Sequence, residues 1–374
     1  MPSKTLRKEI MGKVRNVVVK VGTALLTGDD GRLDRALINR LVRQLAEVQK
    51  RGIRVTLVTS GAVGAGVGRA ELPGRPRTLP MLQAAAAIGQ PALMSLYERA
   101  FARYGLHAGQ VLLTRSDFEN RTRYLNISNT LEALFKLNAV PVINENDTIA
   151  VDELDRFADN DTIAALVTNL LKADLLVVLT VVDGLLNREG ALVDLVQRAE
   201  EVTSLVKRDR SVLGSGGMAG KLKAAKLVTD AGEAVVIANG RVPKVLLKLL
   251  DGKRVGTIFA PAQRKMRARQ RWLIGAVRPA GRIEIDAGAA QALRQGGKSL
   301  LARGIVKVAG QFNKGAVVSV VTPDGVIIAH GVCNFSRAEL ERIKGLKSAE
   351  IADALGEKRP DEAIHRDKLV LTAG

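Results

Sequence analysis

Short apolar runs alternate with amphipathic stretches through residues 14–260. The runs lack the polar alternation of a half-buried strand, so each is predicted to be a strand buried on both faces. They are VVVKV (17–21), VTLVTS (55–60), GQVLLT (109–114), VPVIN (140–144), DLLVVLT (174–180) and AVVIAN (234–239). Helix-like segments such as LINRLVRQLAEVQKRG (37–52) separate them. The pattern predicts an α/β fold with a mainly parallel, open sheet sandwiched by helices.

The pattern changes near residue 261. The stretch PAQRKMRARQRWLIG is rich in arginine and lysine and is interpreted as a basic linker over residues 261–275. The segments after it, GRIEID, GIVKVAG, VVSVVTPDGVIIAHG and KLVLT, read as short strands with turn signals. The predicted organisation is a large α/β domain over 1–260, the linker, and a small β-rich domain over 276–374.

Composition narrows the class of protein. The chain is 47% hydrophobic and 25% charged, and its apolar stretches are too short to cross a bilayer, so no membrane association is expected. No signal-peptide core is visible near the amino terminus. A single cysteine, Cys333, and three scattered histidines argue against disulfides and against a Cys/His metal site, and favour a cytoplasmic location.

The net charge of +19 fits several functions. It is compatible with nucleic-acid contact, with attraction of anionic substrates and with a solubilising surface, and charge alone does not choose among them. Aromatic residues make up only 3% of the chain. Base-stacking platforms are therefore not evident.

A glycine-rich stretch, GSGGMAGK (214–221), leads into a helix-like segment. It is not a Walker A loop, because Ser215 stands where the first glycine belongs and Leu222 stands where a hydroxyl must hold magnesium. Glycine amides before a helix amino terminus still suit an anion, and Lys221 adds a positive charge. A flexible connector is the alternative. The following segment repeats apolar residues at helical spacing, so the loop is joined to an ordered helix. This favours anion binding over a flexible connector.

The ends of the predicted strands carry candidate ligand-binding residues, because open parallel sheets bind ligands beyond the carboxyl ends of their strands. Lys20 ends the first strand, and a buried lysine is costly unless it meets an anion or reaches solvent. Ser60, Gly61 and Ala62 follow the second strand with a hydroxyl and bare amides, although they would also suit a packing turn. The dinucleotide fingerprint is absent, because Arg69 stands where its third glycine belongs.

Two clusters of acids and amides lie near strand or helix ends. Their members are Asn144, Glu145, Asn146 and Asp147, and then Asp159, Asn160 and Asp161. One residue of the second cluster is expected to cap a helix, which explains only part of the pattern. The clusters are typical of a site for a zwitterionic or polyol substrate together with a magnesium nucleotide.

This set of residue types favours phosphoryl transfer. The reaction needs positioning and charge neutralisation more than a covalent nucleophile, and no histidine or cysteine is placed as one. A carboxylate acceptor has a pKa of about 4 and is ionised at neutral pH, so it needs no general base. The sequence is therefore suited to an acyl-phosphate reaction.

The motifs together resemble those of the glutamate 5-kinases, a group within the amino acid kinase family. The matching segments, in order over residues 17–260, are VVVKVGT, VTSGA, GQVLLTR, VPVINENDT, DNDTIAAL, LTVVDGL and GSGGMAGKLKAA. The tail, with AHGVCNFS (329–336) and AIHRDKLVL, looks like a PUA domain, a module named for pseudouridine synthases and archaeosine transglycosylases. The likeness spans nearly the whole chain.

The resemblance implies an activity and a set of site residues. ATP, with Mg²⁺, would phosphorylate the side-chain carboxylate of L-glutamate in the first step of proline biosynthesis. Lys20 and Lys221 would neutralise the migrating phosphoryl group, and Asp161 would hold the two lysines. The implied substrate-binding residues are Ser60, Gly61, Ala62, Asp147 and Asn160. The implied ATP-binding residues are Lys20, Thr180, Val181, Ser215, Gly216, Gly217, Met218, Ala219, Gly220 and Lys221.

Two departures from the family pattern and two alternatives stand beside this hypothesis. Val181 follows Thr180 where many relatives have Asp, which puts an ATP or metal contact there in doubt, and Ala158 replaces a usual glycine. Another amino acid kinase, acting on aspartate, acetylglutamate, carbamate or a nucleotide, is the nearest alternative. RNA binding through the second domain is a different class of function.

The resemblance also implies a homo-oligomer, dimer or tetramer, and feedback inhibition by proline.

Overall fold

The computed structural model describes residues 2–28, 32–149, 160–202, 217–263, 265–356 and 360–372. The chain divides into two compact units, residues 1–266 and 267–374. The segment interpreted as a linker, 261–275, lies on both sides of this division and includes the helix Ala268–Arg271. The domain limits drawn from the sequence stay a prediction.

The first unit alternates strands and helices along the chain. Its strands are β1 (Asn16–Val21), β2 (Arg54–Val58), β3 (His107–Leu113), β4 (Ala139–Glu145), β5 (Leu175–Thr180), β6 (Leu195–Val196), β7 (Ala234–Asn239) and β8 (Thr257–Phe259). Its helices are α1 (Pro2–Gly12), α2 (Thr23–Leu26), α3 (Arg35–Lys50), α4 (Ala62–Arg69), α5 (Leu79–Ala102), α6 (Arg115–Glu119), α7 (Arg121–Lys136), α8 (Asn160–Leu171), α9 (Met218–Asp230) and α10 (Val245–Leu250).

The eight strands form one sheet in the order β3-β4-β2-β1-β5-β7-β8-β6. The pairs from β3 to β7 are parallel, which confirms the predicted sheet. β8 runs antiparallel to β7, and the two-residue β6 pairs with β8. The sequence did not indicate these last two strands, because a run as short as Thr257–Phe259 carries little periodicity.

One prediction about the strands is wrong. The run GQVLLT was expected to be buried on both faces, but in β3 two side chains, His107 and Gln110, are exposed and only Leu113 is buried. β3 is the edge strand and pairs on one side only, with β4. An apolar run therefore does not distinguish an edge strand from a central one.

Alternation along β1 separates its two faces. Val17, Val19 and Val21 belong to the core cluster that also contains residues of α3 and α5. Val18 and Lys20 alternate with them and lie on the opposite face of the sheet. α8 contacts β1, β2, β4 and β5. The sheet is thus covered by helices, and Lys20 is positioned to meet a side chain of α8.

Two glycines let α4 and α5 pack with almost no separation. A methyl group built at Gly66 would lie 1.8 Å from the carbonyl oxygen of Ala85, and one built at Gly89 would lie 1.9 Å from that of Ala62. Both distances are far below van der Waals contact. The absence of side chains at Gly66 and Gly89 therefore allows the close helix contact that positions Ala62. Ala62 comes directly after the turn that follows β2.

Replacing Gly89 by alanine is expected to lower the free energy of unfolding by about 2 kcal/mol or more, because the added methyl group must push the two helices apart. Urea denaturation measures the change. Gly74→Ala is the matched control, since a methyl group there has nothing within 4 Å. Equal stability of the two variants would contradict the close packing.

The second unit has a five-stranded sheet and a two-stranded sheet, and the predicted β-rich character is confirmed. Its strands are β9 (Gly281–Ile285), β10 (Leu300–Leu301), β11 (Ile305–Gly310), β12 (Val317–Val321), β13 (Ile327–Val332), β14 (Glu362–Ile364) and β15 (Leu369–Leu371). Its helices are α11 (Ala268–Arg271), α12 (Ala287–Arg294), α13 (Arg337–Ile343) and α14 (Ser348–Leu355), which the sequence reading did not identify. A separate core of this unit includes Ile283, Val318 and Phe335.

In the part of the chain that the structure describes, no helix is both long and apolar enough to cross a membrane.

Candidate active site

Lys20 is buried at the carboxyl end of β1. Its side chain is only 4% exposed, and its ammonium nitrogen lies 2.6 Å from Oδ1 of Asp161. Asp161 is the second residue of α8 and is completely buried. A buried ammonium group is tolerated because it meets this carboxylate. Lys20 is therefore not a lysine that reaches solvent past the sheet edge.

Lys221 meets the same carboxylate from the other side. Its ammonium nitrogen donates a hydrogen bond of 3.0 Å to Oδ2 of Asp161, and the two residues are 60 positions apart in the chain. The Lys221 side chain is 12% exposed, so it is the more accessible of the two lysines. Asp161 thus joins two ammonium groups that come from distant parts of the first unit.

The charge state of Asp161 follows from these contacts. Burial alone would raise the pKa of its carboxyl group, but the charges of Lys20 and Lys221 outweigh burial and hold that pKa below its ordinary value. Asp161 is therefore ionised at neutral pH. The three groups together carry one net positive charge, which suits an incoming anion.

The glycine-rich loop ends at the amino terminus of α9. Gly217 is the residue before the helix, and Met218, Ala219 and Gly220 form its first turn together with Lys221. The first amides of a helix have no partner within the helix, and they favour an anion. Ser215 and Gly216, which were also predicted to bind ATP, lie outside the described residues, as do Ala158 and Asp159.

A second polar network lies beside the ion pairs. The side-chain amide of Asn160, next to Asp161, donates to Oγ of Ser60 at 2.9 Å and to Oδ1 of Asn144 at 3.2 Å. Asn144 in turn donates to Oε1 of Gln90 at 2.9 Å. The network links the ends of β2 and β4 to the start of α8. It therefore places Ser60 and Asn160, two predicted substrate-binding residues, in direct contact.

One atom of this network is left over. The carbonyl oxygen Oδ1 of Asn160 is buried and has no hydrogen-bond donor among the described residues. A buried acceptor without a donor is costly, and a bound ligand can supply the missing donor. The amide nitrogen of Asn160 is already committed to Ser60 and Asn144. The free oxygen therefore suits a positively charged group such as an ammonium.

The turn at Gly61 connects β2 to α4 beside this network. Gly61 precedes α4 with a φ of 102°, a left-handed conformation that glycine adopts without steric cost. Ala62 is buried in the first turn of α4. The predicted trio of Ser60, Gly61 and Ala62 is thus a strand-to-helix turn whose hydroxyl faces Asn160.

Asp147 lies two residues beyond β4 and is partly buried. Burial raises the pKa of its carboxyl group to about 6, and the nearby charge of Arg75 only partly opposes the increase. No hydrogen bond or ion pair between described residues joins Asp147 to Ser60 or Asn160. The structure places it at the same edge of the sheet without bringing it into that network.

Thr180 is the last residue of β5, the neighbour of β1. Its carbonyl oxygen accepts a hydrogen bond of 2.9 Å from the amide of Gly240, which follows β7. Val181 comes next and is 39% exposed. Two residues further on, Asp183 accepts a hydrogen bond from Asn239 at 2.9 Å. The first carboxylate after β5 is thus Asp183 and not residue 181.

The prediction of individual site residues missed two members of the polar network, Asn144 and Gln90. Asn144 was noted within an acidic and amide-rich cluster but was given no role, and the strand VPVIN that it ends was the available signal. Gln90 lies in the middle of α5 and carries no local signal, because polar residues are common on helix surfaces.

Carboxylates of the described residues do not form a metal centre. No group of three or more His, Cys, Asp and Glu side chains in this part of the chain is arranged to hold a metal ion. Both oxygens of Asp161 face lysines. The geometry instead gives two ammonium groups, a helix amino terminus and a neutral polar network at the carboxyl edge of one sheet, which is suited to transfer of an anionic group.

Comparisons with known proteins agree with this architecture. The model of the amino acid kinase family matches residues 15–239, more than half of the chain, and that of the PUA domain matches residues 281–355. A glutamate 5-kinase of Geobacter sp. (strain M21) is 45% identical over 373 residues, which cover 98% of this chain and 100% of the relative. A glutamate 5-kinase of Moorella thermoacetica is 46% identical over 368 residues, covering 96% of this chain and 97% of the relative.

A solved structure supports the fold alone. N-acetylglutamate synthase from Neisseria gonorrhoeae is 19% identical and has a TM-score of 0.51, and the match covers 70% of this chain and 64% of that one. The family follows from the sequence matches, which extend over both units. The chain therefore belongs to the amino acid kinase family, within the group of the glutamate 5-kinases.

Proposed function

We propose that this protein transfers the γ-phosphate of ATP to the side-chain carboxylate of L-glutamate, giving L-glutamyl 5-phosphate, the first step of proline biosynthesis. The observation that carries the proposal is the convergence of Lys20 and Lys221 on Asp161 at the carboxyl edge of the sheet. Sequence identity of 45% and 46% to two glutamate 5-kinases, over at least 96% of this chain, supports the choice of glutamate.

The reaction forms one bond and breaks one. An oxygen of the ionised side-chain carboxylate of glutamate attacks the γ-phosphorus, and the bond from that phosphorus to the β–γ bridging oxygen breaks, so that the electron pair leaves with ADP. The migrating group carries dispersed negative charge in the transition state, and fixed positive groups stabilise it. We assign this role to Lys20 and Lys221. Asp161 acts as a positioning residue that holds both ammonium groups.

The polar network is proposed to bind the amino-acid part of the substrate. The unpaired oxygen of Asn160 would accept a hydrogen bond from the α-ammonium group, and the ionised form of Asp147 would attract the same charge. The hydroxyl of Ser60 and the amides after Gly61 suit the α-carboxylate. These groups would orient glutamate with its side chain towards the two lysines.

The nucleotide is proposed to occupy the space between Thr180 and the first turn of α9. The amides of Met218 and Ala219 would face its phosphates, and Thr180 would contact the nucleotide at the end of β5. Magnesium would enter as the complex with ATP, since Mg²⁺ is commonly held by phosphate oxygens and water with few protein ligands. It would supply further charge neutralisation for the phosphates.

A trapped-product assay tests the proposal. Purified protein with ATP, magnesium and L-glutamate should give an acyl phosphate that hydroxylamine converts to a hydroxamate. The same assay with aspartate, acetylglutamate and carbamate sets the specificity. Turnover of one of these acids but not of glutamate would replace the assignment with another kinase of the family, and no turnover of any acid would contradict a carboxylate acceptor.

The pKa of Asp147 predicts how the reaction responds to acid. Asp147 is ionised above a pH of about 6 and neutral below it, and only the ionised form attracts the α-ammonium group. The KM for glutamate should therefore rise about tenfold between pH 7 and pH 5, while kcat changes less. Initial rates across this pH range measure both constants.

The variant Asp147→Asn separates this cause from others. It should raise the KM at pH 7 and remove most of the increase on acidification, because the titrating group is gone. If the increase persists unchanged in the variant, a different group controls binding and the role given to Asp147 is wrong.

RNA binding stays a prediction for the second unit, supported by its PUA match and by the basic composition of the chain. Filter binding to a structured RNA should show an affinity that falls steeply as salt increases. Negligible binding at low salt would remove this second function. The cytoplasmic location, the homo-oligomer and feedback inhibition by proline likewise remain predictions.

A further inference from the structure

A cavity of about 780 Å³ lies in the first unit, between α3 and the segment that follows β7. Its floor includes Leu25 and Leu179, and its rim includes Arg40, Arg43, Arg241 and Lys244. None of Lys20, Asp161 and Lys221 is among the described residues that line it. The cavity is therefore distinct from the proposed phosphoryl-transfer centre.

The charged side chains at the rim have no partner among the residues that the structure describes. The side chains of Arg40, Arg43, Arg241 and Lys244 are exposed, and none has an ion pair or hydrogen bond with another described residue. Glu47 is the one carboxylate among the described lining residues, so the lining carries four positive charges and one negative charge. Such an excess of unpaired cations around a concavity attracts anions.

The floor of the cavity has a different chemistry. Leu25 and Leu179 are buried members of the core cluster, and leucines of α3 join them in lining the cavity. The apolar floor favours the organic part of a ligand, whereas an arginine at the rim can bind two oxygens of one phosphate group at once. The combination suits a molecule with a phosphate group at one end and an apolar ring at the other.

The backbone at the rim is held in an uncommon conformation. Lys244 has a φ of 55°, in the left-handed region that residues other than glycine rarely adopt. It directly precedes α10 and follows Pro243, whose ring restricts the preceding turn. This conformation sets only the backbone position of Lys244 at the rim, and backbone conformations of this kind recur at ligand sites.

We propose that this cavity is a binding site for a small organic phosphate, and none of the residues assigned above to ATP or to the acceptor is among its described lining residues. Rim cations hold the phosphate, and the leucine floor contacts the apolar part. The cavity borders the proposed nucleotide site, because the amide of Gly240, one of its lining residues, donates a hydrogen bond of 2.9 Å to the carbonyl oxygen of Thr180.

The probe for a test is 1-naphthyl phosphate, which combines an aromatic ring with a phosphate group. Binding to the full-length protein is measured by isothermal titration calorimetry in the presence of a saturating non-hydrolysable ATP analogue with magnesium, so that the nucleotide site is filled. We expect one saturable site. Neutral 1-naphthol, which lacks the phosphate, should bind at least tenfold more weakly.

Charge variants locate the site. The double variant with Arg43→Ala and Arg241→Ala should weaken binding of the probe at least tenfold, because both arginines lie at the rim. Lys50→Ala/Lys253→Ala is the matched control: it removes the same charge from exposed positions outside the described lining and should change the Kd less than twofold. All four positions are exposed, so the variants should fold, and circular dichroism verifies this.

The single variant Arg241→Ala distinguishes this cavity from a smaller neighbour of about 210 Å³, which shares Arg40 and Arg43 but not Arg241. It should weaken binding in its own right. Non-saturable binding, a Kd unchanged by Arg241→Ala, or equal binding of 1-naphthol would each overturn the proposal.

Discussion

Replacing Lys221 by alanine is expected to lower kcat by about 100- to 1,000-fold, with much less change in the KM for glutamate. The reason is that its ammonium group should matter mostly for the charge that develops in the transition state, and interactions made only there affect turnover and not ground-state binding. Steady-state kinetics with glutamate and ATP varied separately give both constants.

Lys223→Ala is the control for this prediction. Lys223 lies on the same helix, two residues further along, and is exposed, so its removal changes the net charge equally but should leave kcat within about twofold. Lys221→Arg keeps the charge but alters its geometry, and should recover only part of the rate. Equal effects of Lys221→Ala on kcat and on the KM would count against the role assigned to Lys221.

Replacing Asp161 by asparagine is expected to lower the free energy of unfolding by about 3–5 kcal/mol, because it leaves the buried ammonium group of Lys20 without its counter-charge. The variant should also lose turnover, since neither lysine is then held in place. Equilibrium unfolding in urea, followed by circular dichroism, measures the stability, and the hydroxamate assay measures the activity.

A second substitution separates stability from catalysis. Lys20→Met in the Asp161→Asn background removes the uncompensated charge and should restore part of the lost stability, because an apolar side chain of similar length suits a buried position. It should restore no activity. If Asp161→Asn proves as stable as the wild type and fully active, the buried ion pairs do not organise the site.

Six of the eight strands of the first unit could be predicted from the sequence to within a few residues. Runs such as DLLVVLT and AVVIAN are short and apolar throughout, and the structure has strands over Leu175–Thr180 and Ala234–Asn239. Burial of a strand on both faces requires apolar residues at every position, so the pattern is local and readable. The edge position of β3 is not local, since it depends on which strands pair with it.

The polar network was only partly predictable. Ser60 and Asn160 follow from motifs at strand and helix ends, whereas Gln90 lies on a helix face like any surface glutamine. Its partner, Asn144, is 54 residues away in the chain, and only the tertiary fold brings the two side chains together. Contacts of this kind depend on the arrangement of elements and leave no mark on the pattern of a single segment.

The amino-acid sequence by itself determined the class of fold, six strands of the first unit, the family, and the residue types available for phosphoryl transfer. These depend on local periodicity and on motifs that are contiguous along the chain. The tertiary structure alone decided that Lys20 and Lys221 share the carboxylate of Asp161. It also decided that, within the described part of the chain, one oxygen of Asn160 has no donor and four cations without a partner surround an apolar cavity. Each of these is a distance or a burial between residues remote in sequence, and such quantities exist only once the sheet and its helices have packed.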